Sequence, residues 1–233
     1  MTRIFSLLAI LLSLTSCAEQ YNIAGNSSVN SFDGRMLYLQ VASGCDMNRI
    51  DSCEVVHGRF SFMGIVDSTV MGEICMDNES LMPLVIETGN LSIRVDNLGQ
   101  HVSGGPLNDR LYHFLRQKEC LDNEYMELSY QEMRMMMEGV HPTAIAATLK
   151  PRAEALSKQI EELETKFIMS NYNNVLGPGV FMLIGNQYRY PIMTDQIRTI
   201  MKKAPSKFRN HPYVKRYIST AKMNMERLKD TTP

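Results

Sequence analysis

Apolar and polar residues alternate with a period of two along the first part of the chain and recur at helical spacing along the rest. The change falls at Gly104-Gly105-Pro106. The clearest alternation lies in residues 50–66. Ile50, Ser52, Glu54 and Val56 alternate with Asp51, Cys53 and Val55; beyond His57-Gly58, Phe60 and Phe62 share one face and Arg59, Ser61 and Met63 the other. Two such runs around a glycine predict a half-buried β-hairpin. Further strands are predicted at residues 21–24, 36–41, 70–76, 84–87, 91–95 and 101–103. Gly25-Asn26 marks a bulge or turn after the first, Leu37, Leu39 and Val41 share one side of the second, and residues 42–48 form a polar loop. Short strands separated by Asp-Gly, glycine and asparagine turns point to an antiparallel β-sandwich or barrel.

From Pro106, which suits a first helical position, Leu, Met, Glu, Lys and Arg replace the β-branched alternation. Leu107, Leu111, Phe114, Leu115 and Leu121 recur at helical spacing, and Gly139 and Pro142 interrupt the run. A long helix follows from Pro142 or Pro151 to Ser170. Its Leu149, Ala153, Leu156, Ile160, Leu163 and Phe167 form a seam of alternating steps of four and three. Under three heptads with an internal proline fit a local helical hairpin better than a free coiled coil. Later helices are expected near residues 179–186, 194–203 and 212–229, with Thr194 and Asn210 as N-caps. The fold class is therefore α+β, an N-terminal antiparallel β-sandwich or barrel-like domain followed by an all-helical region. The predicted boundaries are a leader at 1–16, a tether at 17–20, a β-domain at 21–104 and helices at 105–233.

Charge adds little, because 24 Lys+Arg face 25 Asp+Glu. No basic excess suggests a nucleic-acid partner. The leader changes the picture more. Arg3 precedes an apolar run of residues 4–12, too short to span a bilayer, and Leu14-Thr15-Ser16-Cys17 follows. Small residues before a cysteine at this place resemble the lipobox of bacterial lipoproteins. The resemblance implies cleavage before Cys17, lipid on its sulfur and amine, and a cell-envelope location facing periplasm or surface, with the outer membrane favoured. Four more cysteines remain, Cys45, Cys53, Cys75 and Cys120. An exported chain permits disulfides among them, with three connectivities open, or free thiols. No pair forms a C-x-x-C.

The assembled motifs resemble a known family. Ile50-Asp51-Ser52, residues 58–64, residues 86–93, and Val102-Ser103-Gly104 with Leu107-Asn108-Asp109 are similar to the DUF4369 domain. That domain stands at the N-terminus of lipoproteins of the TlpA/ResA-like thiol:disulfide oxidoreductase type. Phe167-Ile168 with Asn171, and His211-Pro212-Tyr213-Val214, resemble the helical linker of those proteins. In them a thioredoxin domain with C-x-x-C follows. Here the chain is expected to stop before it, at Thr231-Thr232-Pro233, so that no position inherits the reactive cysteines. The resemblance implies fold and address, and it does not imply the reaction.

Other constellations have plain structural readings. Met133-Arg134-Met135-Met136-Met137 offers thioethers that suit Cu(I), yet methionine also fills gaps in cores. His57, His101, His113, His141 and His211 show no metal-ligand spacing. Gly177-Pro178-Gly179 lacks the lysine and preceding strand of a phosphate loop and reads as an interhelical corner. Asp51 and Glu87 could form an acid/base pair, but Asp51 beside Ser52 reads more simply as a residue that fixes a strand end. The basic and aromatic stretch from Lys202 to Tyr217 reads as the solvated face of amphipathic helices. No catalytic residue, metal or cofactor is therefore assigned. The expected function is a non-enzymatic, membrane-anchored binding or scaffolding module with an envelope protein partner. The alternative is an accessory to a periplasmic thiol–disulfide system acting through the non-lipidated cysteines.

Overall fold

The computed structural model describes residues 19–43 and 46–230. Cys17, Cys45 and the leader lie outside them. The strands are β1 (Glu19–Ser27), β2 (Met36–Ser43), β3 (Asp46–Glu54), β4 (Arg59–Val66), β5 (Val70–Met76), β6 (Glu79–Ile86), β7 (Gly89–Asp96) and β8 (Gly99–Ser103). The helices are α1 (Pro106–Met137), α2 (Pro142–Ser170), α3 (Leu176–Gly185), α4 (Asp195–Lys203), α5 (Ser206–Arg209) and α6 (Pro212–Asp230). The layout is α+β, as the sequence pattern predicts.

The strands form two four-stranded sheets, ordered β4-β1-β7-β8 and β3-β2-β5-β6. Among the described strands only the β1–β7 pair is parallel. Ile23, Phe62, Leu91 and Ile93 of the first sheet meet Leu37, Leu39, Ile74 and Leu84 of the second in one core. That core continues without a break into Leu111, Phe114, Ile168, Phe181, Phe208 and Val214 of the helices.

The turn at His57-Gly58 is real, but the hairpin is not. His57 and Gly58 have φ of 51° and 71°, and Val56 and Arg59 exchange backbone hydrogen bonds across them. Past that pair the strands part: β3 joins β2 in the second sheet and β4 joins β1 in the first. Alternation fixes which face of a strand is buried, and it says nothing about which partner is chosen. Side chains take over where a ladder would run. Asp51 accepts hydrogen bonds from the Ser52 and Met63 amides at 2.7 and 3.3 Å, and the Ser61 amide donates to Cys53. The free edges of β3 and β4 are thus bound to each other.

The opposite edges, β6 and β8, are tied to each other by Gln100 of β8, and α1 bonds the edge of β6. Gln100 donates to the Leu81 carbonyl at 2.8 Å, and Tyr112 donates to the Pro83 carbonyl at 2.9 Å. Asn108, fully buried, accepts from the Val85 amide at 2.9 Å and donates to the Val85 carbonyl at 2.7 Å. It also donates to Glu87 at 2.8 Å, and the same carboxylate accepts from the Asn108 amide at 3.0 Å. An acid at the first turn of α1 satisfies amides that the helix itself cannot.

Several local expectations shift. Residues 42–43 and 46–48 belong to β2 and β3 rather than to a long polar loop. Gly25 and Asn26 lie within β1 rather than in a bulge or turn; a Cβ at Gly25 would stand 2.1 Å from the Phe60 ring that covers it. Gly177-Pro178-Gly179 is the buried first turn of α3 rather than a corner between helices, and Met71 of the sheet packs on Gly179. Asn210 ends α5 instead of opening α6. Pro151 sits inside α2 without ending it. Its missing amide leaves the carbonyl of exposed Ala147 to water, so the proline costs less there than on a buried face. Thr194 caps α4 as expected, accepting from the Ile197 amide at 3.2 Å.

Candidate interaction site

The helices α1 and α2 pair as an antiparallel hairpin. Its end far from the sheets has its own small core of Leu128, Ile145, Leu149 and Leu156, with Leu121, Met135, Val140 and Ala153 packed around it. The spacing of α1 puts Leu121, Leu128 and Met135 on one side, seven residues apart, against α2. The same spacing puts Met126, Tyr130, Met133 and Met137 together on the opposite side, in steps of four, three and four. These four residues are 54, 54, 54 and 79% exposed. Met136, beside them, is exposed as well. Of the Met133–Met137 run, only Met135 serves as core filler. The others form an open apolar stripe that nothing else in the chain covers among the described residues.

A cleft of about 510 Å3 adjoins the start of this stripe. It is lined by Lys118, Asp122, Tyr125 and Met126 of α1, Glu161 and Glu164 of α2, Tyr188, and Gln196 of α4. Glu164 is buried, with only 3% of its surface exposed. Its Oε2 accepts from Gln196 Nε2 at 2.8 Å, while its Oε1 has no hydrogen-bond partner. Lys118 Nζ stands 3.7 Å from Oε1 and donates instead to both oxygens of Asp122, at 3.0 and 2.7 Å. Burial, partly offset by Gln196 and Lys118, raises the Glu164 carboxyl above its ordinary range. Sequence reasoning missed Glu164. The signal was present: Leu156, Ile160, Glu164 and Ile168 follow one another in steps of four, so an acid interrupts an apolar row.

The cysteines separate into different places. Cys53 and Cys75 flank β2, Cys53 opposite Leu37 and Cys75 opposite Tyr38. Adjacent positions of β2 point to opposite faces, and two strand spacings make about 10 Å, beyond the roughly 7 Å that a disulfide bridges. Cys53, Cys75 and Cys120 are free thiols. Burial pushes the Cys53 thiol up, although the Ser61 amide pulls the other way. Burial and Glu73 push the Cys75 thiol up to about 11. Cys120 is exposed on α1.

The two carboxylates weighed as an acid/base pair lie at opposite edges of the second sheet, and each is held by backbone amides. His57 makes its turn, and His141 caps α2 by accepting from the Thr143 amide at 3.4 Å. His211 lines a cleft of about 220 Å3 between the sheet and helices, with Met71, Met182 and Asn186. Burial lowers its pKa, and its Nδ1 lacks a partner. In the basic C-terminal stretch, Phe208 and Tyr217 pack around Phe181, and Lys202, Lys203, Lys215 and Arg216 face solvent. Among the described residues, no three His, Cys, Asp or Glu gather as metal ligands, and no helix is long and apolar enough to cross a membrane.

No curated protein matches the chain. A family of unassigned role does: residues 21–111, from β1 into the start of α1, match the model described as Domain of unknown function (DUF4369).

Proposed function

We propose that this protein is a cell-envelope lipoprotein, anchored through Cys17, that acts as a non-catalytic binding or scaffolding module for another envelope protein. The observation that carries the reading is the exposed Met126–Tyr130–Met133–Met137 stripe on a hairpin whose opposite face already has its core. Exposed apolar patches on soluble folds mark interaction sites, and methionine suits them because its unbranched thioether adapts to a partner. The anchoring part rests on the leader and lipobox pattern. The outer membrane is the favoured address, with the folded part facing periplasm or surface. Binding is preferred to catalysis because Asp51 and Glu87 are committed to backbone amides. Exchange with a thiol–disulfide partner has less support. An attacking thiol needs thiolate character and access, and burial works against both at Cys53 and Cys75, which leaves exposed Cys120 as the described thiol open to exchange.

The test places a photo-crosslinking amino acid at Tyr130 or Met133 of the lipidated protein, and at exposed Ser92 of β7 as a control. A discrete protein adduct from the stripe alone supports the reading. Equal labelling at all three positions, or none, sinks it. Palmitate labelling should vanish in Cys17→Ala; labelling that survives removes the anchor.

A further inference from the structure

The cleft beside the stripe holds more acid than it neutralises. Asp122, Glu161 and Glu164 line it with a single cation, Lys118, whose ammonium is taken by Asp122. Glu161 has no ion-pair partner among the described residues. A buried carboxylate oxygen without a hydrogen bond is costly, and Glu164 Oε1 is such an atom. Tyr125 and Tyr188 line the same space, and Met126 and Ile160 give it apolar walls. Carboxylates with aromatic faces and an apolar wall recognise an ammonium or guanidinium group on a hydrocarbon stem. An anion would meet three like charges there.

We propose that this cleft accepts a lysine or arginine side chain of the docked partner, with Glu164 and Glu161 as its counter-charges and Tyr125 and Tyr188 against its stem. The inference rests on the docking reading above, because Tyr125 and Met126 belong both to the cleft and to the exposed face of α1. The partner surface it describes is an apolar ridge with a basic residue at one end. Lys118, bonded to Asp122 and 3.7 Å from Glu164, is then a resident cation that competes with the incoming one for the Glu164 carboxylate.

Two arms test it. In the first, agmatine, a guanidinium on a short stem, is titrated into the full chain by NMR. Saturable shifts at Tyr188 and Gln196 are expected, and binding should weaken about tenfold in Glu164→Gln, which keeps the shape and removes the charge. Lys118→Met should tighten agmatine binding, whereas a purely structural Lys118 predicts no gain. No saturable shift, or equal binding to wild type and Glu164→Gln, overturns the proposal. Should Glu164→Gln fail to fold, Glu161→Gln and Lys118→Met carry the same comparison. In the second arm the Tyr130 photo-adduct is measured in Glu164→Gln. A fall in yield supports a partner side chain in the cleft. Unchanged yield with intact agmatine binding overturns that assignment and leaves a free amine as the occupant. Absent adducts with intact agmatine binding defeat the docking reading and, with it, the partner side chain, whereas adducts without agmatine binding defeat the cleft alone.

Discussion

The paired sheets and the far end of the α1–α2 hairpin differ in how much of their apolar surface goes into a core. In the sheets the edges β3 and β4 are tied by Asp51 and Cys53, and β6 is tied by Asn108, Tyr112 and Gln100. In the hairpin the core is small and the apolar stripe of α1 stays in water. The sheet half spends most of its hydrophobic residues on one large core, although Ile50 of β3 and Met63 and Ile65 of β4 stay exposed. The stripe contributes little to folding, so its sequence is free to serve a partner.

The comparison can be broken most severely at Asn108. Asn108→Ala strips Val85 of two hydrogen bonds and Glu87 of one in a buried site, and should cost about 3 kcal/mol. A urea titration would show this as a lower midpoint with an unchanged slope. Leu149→Ala empties part of the small hairpin core, at about 2–3 kcal/mol. Hydrogen exchange should then quicken in residues 121–156 while β2 and β7 keep their protection. Equal loss in both regions would mean that the hairpin has no separate cooperativity.

A pH series separates Glu164 of the hairpin from His211 among the C-terminal helices by sign. The Glu164 carboxyl, faced by Lys118, Asp122, Glu161, Tyr188 and Gln196, has a folded pKa above the unfolded value. Between those two values the folded state holds more protons. The group therefore costs stability as pH rises through that window, and Glu164→Gln should flatten the fall. His211, whose folded pKa is lowered, acts oppositely. Stability is lost as pH drops below its unfolded value of 6.5. Thermal melts of Glu164→Gln and wild type across the acid range give the difference directly. The smallest effect belongs to the stripe. Met133→Ser with Met137→Ser should change stability by less than about 0.5 kcal/mol in a denaturant titration, while removing the photo-adduct from Tyr130.

Much of the fold is legible in the chain because local pattern decides it. The faces of β2, β4 and β7, the start of α1 at Pro106 and the α2 seam all follow from spacing. What spacing lacks is the choice of partner. The alternation on either side of His57-Gly58 is the same whether β3 and β4 pair with each other or with β2 and β1. Only the packed sheets separate those outcomes. The acids show the same limit. Glu87 reads as a polar residue near a strand end, and its role emerges when α1 brings its first amides to it. Glu164 breaks an apolar row, but its unpaired oxygen exists only once α1 and α4 close over it.

The position of β1 has a mechanical consequence. It is the first described strand, and it lies inside its sheet, with antiparallel β4 on one side and parallel β7 on the other. Asn22 adds a side-chain bond to Asn90 across the parallel pair. Inter-strand hydrogen bonds run across the strand direction. A pull on the N-terminus along β1 therefore loads both ladders in shear at once, rather than peeling an edge bond by bond. Were the proposed anchor at Cys17 in place, the fold would meet tension through a strand fastened on both sides.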